Sequence, residues 1–238
     1  MRELRFPKYK IRYSKDITED IVLMILGGRA PSVPWLRYLD FYSRVWCVDS
    51  GVGVCREAQI RPERLIGDRD SALPLDWNWA EENGVQVSRF DTEKDQTDFQ
   101  LALQMLAEDT TQKDKGLVLT GAFGGRFDHM WSTLLSFIHC GGCTPFGIAD
   151  EMEGLFLVRP GQRLTTTFYE LPHAISIIPF ANSTKVTLGG ARWELDNVSL
   201  EYAKPYTISN RVEVGKPVRI SIGSGLVGFY AEWPPSRF

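Results

Sequence analysis

The chain has 238 residues with a formal net charge of −3, made up of 27 basic and 30 acidic side chains. This length allows one large domain or two modest ones, each with a hydrophobic core that folds without disulfides. The near balance of charge gives no field that would attract nucleic acid, and no stretch approaches the roughly 18 uninterrupted apolar residues of a membrane helix. We therefore expect neither a nucleic-acid partner nor a membrane partner.

The cysteine pattern and the first residues indicate the cellular compartment. The four cysteines follow no spacing typical of a secreted disulfide framework, and residues 1–6 contain no long apolar core or cleavage site. Cys140 and Cys143 have the spacing of half a zinc site, but no second Cys or His pair lies at a suitable spacing. We predict a cytoplasmic protein with reduced thiols.

Residues 1–150 alternate short apolar runs with helical patterns, which is typical of a mostly parallel sheet covered by helices. One helix is predicted from near Asp95 through Leu106 and another from near Asp128 to Ile138, because apolar residues recur there every three or four positions. The predicted strands are Ile21 to Leu26, Val45 to Val48, Arg64 to Ile66, Val85 to Phe90 and Leu117 to Thr120.

Residues 151–238 change to short strand-like runs separated by turn residues, at a spacing expected of a β-sandwich or barrel. The predicted fold is thus an N-terminal, mostly parallel-sheet α/β domain over 1–150 and a C-terminal all-β sandwich domain over 151–238. The predicted strands of the second domain are Leu155 to Val158, Thr165 to Phe168, Ala174 to Ile178, Lys185 to Leu188, Arg192 to Leu195, Pro217 to Ile222 and Leu226 to Ala231.

Acidic residues follow several of the predicted parallel strands at the point where each strand ends. In open α/β sheets the ligand binds at this edge. Asp68 and Asp70 lie two residues apart, so in an extended backbone both carboxylates would face one Mg²⁺; an ordinary turn is the alternative, since Gly-Asp and Asp-Ser are common turn dipeptides. Asp49 is interpreted as a ligand contact, with a plain turn aspartate as its alternative.

Two acids mark the start of the first predicted helix. Asp95 and Asp98 are three residues apart, which resembles a capping box and complements the helix dipole. Lys94 and Thr97 add charged and hydroxyl groups beyond what capping requires. We interpret Asp98 as a metal ligand and Asp95 as the cap or an outer neighbour of the metal.

A glycine-rich turn precedes the second predicted helix. Residues 121–126 have the pattern of a phosphate cradle, in which glycines allow close backbone approach and the helix N-terminus favours an anion. Arg126 would clamp phosphate oxygens, and the alternative is an ion pair with Asp128. In the second domain Trp193 follows the Gly189-Gly190 turn, where it would face a flat heterocycle, although most tryptophans of this chain are expected in the core or at an interface.

Five short segments in this order resemble the thiamine pyrophosphokinase family, and the resemblance spans nearly the whole chain. Each segment alone is weak, but their order and spacing agree with the family, as does the α/β-then-β layout. The segments are Asp49-Ser50-Gly51, Gly67-Asp68-Arg69-Asp70-Ser71, Asp95-Gln96-Thr97-Asp98, Gly124-Gly125-Arg126-Phe127-Asp128-His129 and Ser209-Asn210.

The resemblance implies an enzyme, a thiamine diphosphokinase, which transfers pyrophosphate from ATP to the hydroxyethyl oxygen of thiamine and releases AMP. It implies a homodimer whose sites lie between the α/β domain of one subunit and the β domain of the other. Asp68, Asp70 and Asp98 would hold Mg²⁺ and carry catalysis. Asp49, Thr97, Arg126 and Asp128 would contact the nucleotide, and Ser209 and Asn210, with Trp193, would contact thiamine.

Two departures from the family pattern leave alternatives open. The chain reads Ser50-Gly51-Val52-Gly53 where the family usually has Gly-Gly-Ala-Asn, and it has Arg69 where the family has Phe between the two acids. A non-catalytic nucleotide or thiamine sensor is therefore one alternative. A metal-dependent phosphohydrolase of an unrelated doubly wound fold is the other, although a simple hydrolase has little use for the second domain.

Overall fold

The computed structural model describes residues 3–15, 18–68, 72–91, 94–111, 114–204 and 206–233. The chain divides into two compact units, one formed by Thr18–Asp150 and the other by Met1–Ile17 together with Glu151–Phe238. Within the described ranges, no helix combines the length and apolar character needed to cross a membrane. Arg69 and Asp70 lie outside the described residues.

The chain begins with three strands, strands and helices then alternate up to residue 149, and only strands follow. The helices are α1 (Val33–Tyr38), α2 (Gly51–Ala58), α3 (Pro74–Glu82), α4 (Asp98–Glu108) and α5 (Phe127–Ile138). The strands are β1 (Glu3–Arg5), β2 (Tyr9–Tyr13), β3 (Asp20–Ile25), β4 (Arg44–Val48), β5 (Arg64–Gly67), β6 (Gln86–Arg89), β7 (Lys115–Thr120), β8 (Thr144–Ala149), β9 (Glu153–Val158), β10 (Arg163–Phe168), β11 (Ala174–Pro179), β12 (Thr184–Gly189), β13 (Leu195–Leu200), β14 (Val218–Ile222) and β15 (Val227–Glu232).

The unit Thr18–Asp150 is built on a parallel sheet with the strand order β8-β7-β3-β4-β5-β6. Apolar residues fill its inner strands because both faces of such a sheet are covered; Ile21 to Ile25, for example, are completely buried. The chain leaves β3 through β4, β5 and β6 in one direction and then returns to β7 on the other side of β3. The strand order therefore reverses between β3 and β7.

Glycines let the ends of β3 and β7 approach each other closely. Gly121 has a φ of 68°, in the left-handed region, and a Cβ atom there would collide with the Leu26 carbonyl oxygen. A Cβ on Gly28 would lie 2.6 Å from the carbonyl oxygen of Gly121. Larger residues at either position would push the two strand ends apart.

The second unit contains a six-stranded antiparallel sheet and three antiparallel strands of the nine-stranded sheet, and the two layers share a core. Their strand orders are β1-β2-β10-β14-β12-β13 and β11-β15-β9. The ring of Tyr9 on β2 lies 5.8 Å from Phe156 on β9, and Phe168 on β10 lies 6.5 Å from Phe229 on β15. Because these rings come from both sheets, the unit is a sandwich, as the sequence predicted.

The N-terminal residues belong to this sandwich. The sequence interpretation placed residues 1–150 in the first domain, whereas residues 1–17 group with Glu151–Phe238 in the structure. The physical reason is strand pairing, since β2 pairs antiparallel with β10 from Leu164↔Tyr13 to Phe168↔Tyr9. The sequence analysis did not predict β1 and β2, because their buried Leu4, Tyr9 and Ile11 alternate with charged neighbours and form no continuous apolar run.

Most predicted elements are confirmed within one or two residues. Two exceptions have specific causes. Arg192 to Leu195 is not a strand, because the main chain of Arg192 and Trp193 bonds to Arg211 and the Asn210 side chain, and β13 begins only at Leu195. Strand β8 was not predicted because Pro145 and Gly147 interrupt its apolar run.

Charged side chains form a network where β3 and β4 begin. The Arg44 guanidinium donates to Asp20 at 2.8 Å and to Asp109 at 2.6 Å, and all three side chains are at most 15% exposed. Burial opposes the charged form of Asp109, but the hydrogen bonds from Arg44 and from the Thr111 main-chain N–H outweigh it. They hold the pKa of Asp109 well below its ordinary value.

We expect Asp109→Asn to lower the free energy of unfolding by about 2 kcal/mol at pH 7, because it weakens a charge-assisted hydrogen bond. The lowered pKa of Asp109 stabilises the fold above the unfolded-state value of 3.8, and this contribution is lost as the pH falls through and below that value. Urea denaturation at pH 7, 5, 4 and 3 should therefore show that the free energy of unfolding falls more steeply with decreasing pH for the wild type than for the variant.

The exposed Asp40 provides the control for this comparison. Asp40→Asn should leave both the stability at pH 7 and its slope with pH close to those of the wild type. Parallel curves for the wild type and Asp109→Asn would contradict the assignment.

Candidate active site

A cavity of about 680 Å³ lies in the α/β unit, at the carboxyl edge where the strand order reverses. Such a crevice is the usual ligand site of doubly wound sheets. Main-chain turns after β3 and β7 form one part of the wall, and polar side chains that follow β4 and β5 form another. The lining includes Gly27, Gly28, Asp49, Ser50, Asp68, Lys94, Thr97, Asp98, Gly121, Gly124, Gly125, Arg126, Asp128, Ser132 and Thr133.

Three carboxylates meet in this cavity from three different elements. Asp49 follows β4, Asp68 follows β5 and Asp98 opens α4. Each offers an oxygen that lies within 4.8 Å of the other two. At this spacing like charges repel by about 3–4 kcal/mol per pair for an effective dielectric constant near 20. The fold must therefore supply compensating interactions.

The Asp49 position depends on unusual backbone geometry. Its φ of 51° lies in the left-handed region, which few residues other than glycine adopt readily. The neighbouring strand β5 ends in Gly67, and a Cβ there would collide with Asp49 Oδ1. Glycine at this position therefore lets the Asp49 carboxylate lie directly against the end of β5.

Lys94 supplies positive charge to the group. Its Nζ lies 2.8 Å from Asp98 Oδ1 and 3.8 Å from Asp68 Oδ2, and its side chain is 17% exposed. Burial opposes the ammonium form, but the hydrogen bond to Asp98 and the charges of Asp98, Asp68 and Asp49 outweigh it and raise the pKa of Lys94. Three negative charges and one positive charge leave the group with a net charge of −2.

The start of α4 differs from the sequence interpretation. The N-cap is Thr97, whose hydroxyl accepts a hydrogen bond from the Gln100 main-chain N–H. The Gln100 side chain in turn accepts one from the Thr97 main chain, which completes a capping box. The interpretation of Asp95 as the cap is wrong, because Asp95 is exposed and precedes the helix. Capping thus places Asp98 at the first helical position, where the dipole favours an anion.

The glycine-rich turn before α5 lines the same cavity as the carboxylate group. Gly124 and Gly125 have φ values of 73° and 71°, and no atom lies within 4 Å of a Cβ built on Gly125. The turn therefore presents open main chain beside the N-terminus of a helix of 12 residues, which favours an anionic ligand.

Arg126 and Asp128 form the ion pair that the sequence analysis named as the alternative to a ligand role. Arg126 Nη2 lies 2.5 Å from Asp128 Oδ2, and the side chains are 73% and 62% exposed. The hydrogen bond raises the pKa of Arg126 and lowers that of Asp128. Exposed pairs of this kind contribute little and separate readily, so the pair leaves the predicted phosphate role open.

The carboxylate group suits a hard divalent cation. Mg²⁺ prefers oxygen ligands at about 2.1 Å, which places ligands of one ion roughly 3–4 Å apart. The oxygens of Asp49, Asp68 and Asp98 already lie within 4.8 Å of one another, so small side-chain movements would bring them onto one ion. The donor set therefore fits the predicted magnesium. Asp49, which was predicted as a nucleotide contact, is a member of this group.

The residues predicted for the second substrate come together in the β unit. Asn210 is 9% exposed, its amide Nδ2 donates to the Trp193 carbonyl at 2.7 Å, and its Oδ1 accepts from the Trp193 N–H at 3.2 Å. Ser209 precedes it with a φ of 59° and donates its main-chain N–H to Ser176. The Trp193 ring is 55% exposed with the Arg192 guanidinium 5.0 Å from its centre. Asn210 thus holds Trp193 in place.

Several lining residues were not predicted from the sequence. Ser132 and Thr133 face the cavity from α5, and Ser50 faces it from the turn after β4. Hydroxyl side chains on a helix carry no distinctive sequence signal. The spacing of Ser132 from Asp128, one helical turn, is the one available hint.

An acidic group and a glycine-rich turn at the reversal point of a parallel sheet are typical of α/β proteins that bind phosphorylated ligands together with a divalent cation. The separate β-sandwich with an exposed tryptophan adds a surface suited to an aromatic molecule. This combination defines a class of two-unit nucleotide-dependent enzymes.

Comparison with known proteins identifies the family within this class. Residues 36–143 match the model "Thiamin pyrophosphokinase, catalytic domain", and residues 163–227 match "Thiamin pyrophosphokinase, vitamin B1 binding domain". The chain belongs to the thiamin pyrophosphokinase family, as its five short segments suggested. The two matched regions lie in the α/β unit and in the sandwich, respectively.

Individual relatives agree with this assignment. The chain is 28% identical over 193 residues to "Thiamine pyrophosphokinase" of Bacillus subtilis, with 79% of this chain and 88% of the relative covered. The crystal structure of thiamin pyrophosphokinase from Geobacillus thermodenitrificans is 25% identical with a TM-score of 0.71, covering 92% and 100% of the two chains. Yeast thiamin pyrophosphokinase is 14% identical with a TM-score of 0.68, covering 92% and 88%, and shares the fold.

Proposed function

We propose that the protein is an ATP-dependent thiamine diphosphokinase, a pyrophosphoryl transferase. The observation that carries the proposal is the convergence of Asp49, Asp68 and Asp98 within 4.8 Å in a cavity that is also lined by a glycine-rich turn. Membership in the thiamin pyrophosphokinase family supports thiamine as acceptor and ATP as donor.

In the proposed reaction a bond forms between the thiamine hydroxyl oxygen and the β phosphorus of ATP. The bond from that phosphorus to the oxygen bridging the α phosphate breaks, AMP leaves and the hydroxyl proton is released. When bound by Asp49, Asp68 and Asp98, with Asp70 as the further predicted ligand, Mg²⁺ supplies positive charge that offsets the charge of the polyphosphate. Positioning and electrostatics then account for most of the acceleration, as in other phosphoryl transfers.

Each described residue of the cavity has its own part in binding the polyphosphate, set by its position. The open main chain of Gly124 and Gly125 receives phosphate oxygens at the start of α5. Arg126 exchanges its exposed partner Asp128 for a phosphate oxygen, which is a stronger acceptor in a partly closed site. Thr97 caps α4 and thereby fixes the direction of Asp98.

The sandwich is proposed to bind the thiamine rings. The exposed face of Trp193 offers a flat apolar surface, and the exposed Ser209, which directly precedes Asn210, offers a hydroxyl. Asn210 contributes by holding the main chain of Trp193 from both sides, since its amide is used in those hydrogen bonds. Asn210 thus acts in the thiamine pocket by positioning Trp193.

A homodimer is proposed because each unit exposes an apolar surface. On α5, Phe127, Trp131 and Leu135 are 71%, 48% and 37% exposed and recur every four residues along one face of the helix. On the sandwich, Tyr206 and Ile208 are 60% and 58% exposed. Exposed apolar surface of this extent is typical of protein interfaces.

Static light scattering tests the dimer directly. We expect a mass twice that of the 27.0 kDa chain at micromolar concentration. Trp131→Glu should lower the mass towards that of the monomer, because it places a charge in the apolar face of α5. Lys185→Glu, on an exposed position of the sandwich, is the control and should leave the mass unchanged. A monomeric wild type would contradict the proposal.

The activity is tested by incubation with ATP, Mg²⁺ and thiamine followed by chromatography. We expect thiamine diphosphate and AMP in equal amounts, and no AMP when thiamine is omitted. Binding of both ligands without product would indicate the sensor alternative. Release of phosphate without thiamine would indicate the phosphohydrolase alternative.

A matched pair of variants shows whether the carboxylate group carries this activity. Asp98→Asn should lower kcat/KM by about 10²-fold or more, because it removes a charge aimed at the polyphosphate site. Asp40→Asn removes an exposed charge away from the cavity and should behave like the wild type. Near-normal turnover of Asp98→Asn would contradict the site assignment.

The thiamine surface is tested by a comparison of Michaelis constants. Asn210→Ala should raise the thiamine KM by about tenfold or more, because it removes two hydrogen bonds that hold Trp193. The ATP KM should change little. Trp193→Ala should reproduce the effect and Trp193→Phe should moderate it, because a ring remains. Equal changes in the thiamine KM and the ATP KM would contradict the assignment of Asn210 and Trp193 to thiamine binding.

A further inference from the structure

We propose that Lys94 is an internal counter-cation of the carboxylate group, which competes with the divalent cation for Asp68 and Asp98 and then becomes a contact for the polyphosphate. The inference rests on the proposed function, since it assigns a role to a residue of the same site. It concerns how the metal and the nucleotide depend on each other.

The position of Lys94 has no explanation in helix stability. It lies four residues before Asp98, at the N-terminal end of α4, where the helix dipole disfavours a cation. Its side chain is nevertheless only 17% exposed and points at Asp98 and Asp68. The acids therefore hold it there, with its Nζ 2.8 Å from Asp98 Oδ1 and 3.8 Å from Asp68 Oδ2.

The ammonium and a divalent cation would draw on the same carboxylates. The group of Asp49, Asp68 and Asp98 spans only 4.8 Å, so two cations inside it would repel each other strongly. Binding of the metal must therefore displace the ammonium from Asp98. This exchange weakens metal binding in the absence of nucleotide. In the metal-free fold the ammonium offsets part of the repulsion among the three carboxylates.

The displaced ammonium has an anion available in the same cavity. Lys94 lines the cavity together with the glycine-rich turn, and its flexible four-carbon stem allows the ammonium to move while the backbone stays in place. A polyphosphate would accept the hydrogen bonds that Asp98 gives up. The metal and the polyphosphate should therefore bind with positive coupling, each favouring the state in which Lys94 has left the acids.

Isothermal titration with MgCl₂ in the absence of nucleotide measures the competition. Lys94→Met keeps the length of the stem and removes the charge, so it should bind Mg²⁺ at least about fivefold more tightly than the wild type. Lys94→Arg, which retains a cation, should stay near the wild type. Lys185→Met, at an exposed position of the sandwich, is the control for loss of a lysine elsewhere.

Two further measurements complete the test. In a chelator, Lys94→Met should have a lower melting temperature than the wild type, and MgCl₂ should restore it. With the nonhydrolysable analogue of ATP present, the gain in Mg²⁺ affinity should disappear, because the polyphosphate has lost a contact.

The outcomes separate the two proposals. Unchanged or weaker Mg²⁺ binding by Lys94→Met, or an unchanged melting temperature in chelator, would overturn the role of Lys94 while thiamine diphosphate formation by the wild type still supports the function. Absence of both product formation and Mg²⁺ binding in the wild type would overturn the proposed function and the Lys94 inference together.

Discussion

Three carboxylates held within 4.8 Å of one another are the constraint on which the rest of the α/β unit depends. Left alone they would repel, so the surrounding structure has to hold them together and offset their charge. The backbone holds the carboxylates together. Asp49 adopts a left-handed backbone conformation, and Gly67 has no Cβ and so leaves space for the Asp49 carboxylate. Lys94 and the N-terminus of α4 offset the negative charge. An arrangement that is unfavourable by itself is the one suited to a divalent cation and an anionic substrate.

The reversal of strand order determines where this group can act. Close approach of β3 and β7, permitted by Gly28 and Gly121, opens a crevice at the carboxyl edge, and α5 begins at its rim. The acidic group and the N-terminus of α5 thus line one cavity. The sandwich contributes chemistry of a different kind, with an exposed tryptophan whose main chain is held by a buried asparagine. Separate units with separate matches to the catalytic and vitamin-binding models of one family agree with this division.

Much of the fold was predictable because its signals are local. The inner parallel strands are continuous apolar runs, and the turns after them contain glycine and aspartate, so β3, β4, β5 and β7 could be placed within a residue or two. Local patterns failed where another part of the chain decides the conformation. Strand β2 becomes part of the sandwich by pairing with β10, which lies about 150 residues further on, and β1 joins it by pairing with β2. Thr97 rather than Asp95 caps α4, because a reciprocal bond with Gln100 is available there.

The sequence by itself determined the family and predicted an acidic group at the strand ends, because order and spacing of short segments are properties of the chain alone. Tertiary structure decided which residues meet. Asp49 joins Asp68 and Asp98, Lys94 lies between two acids, and Asn210 turns inward to Trp193. Distances between residues far apart in sequence follow from strand order and packing, and no local pattern encodes them.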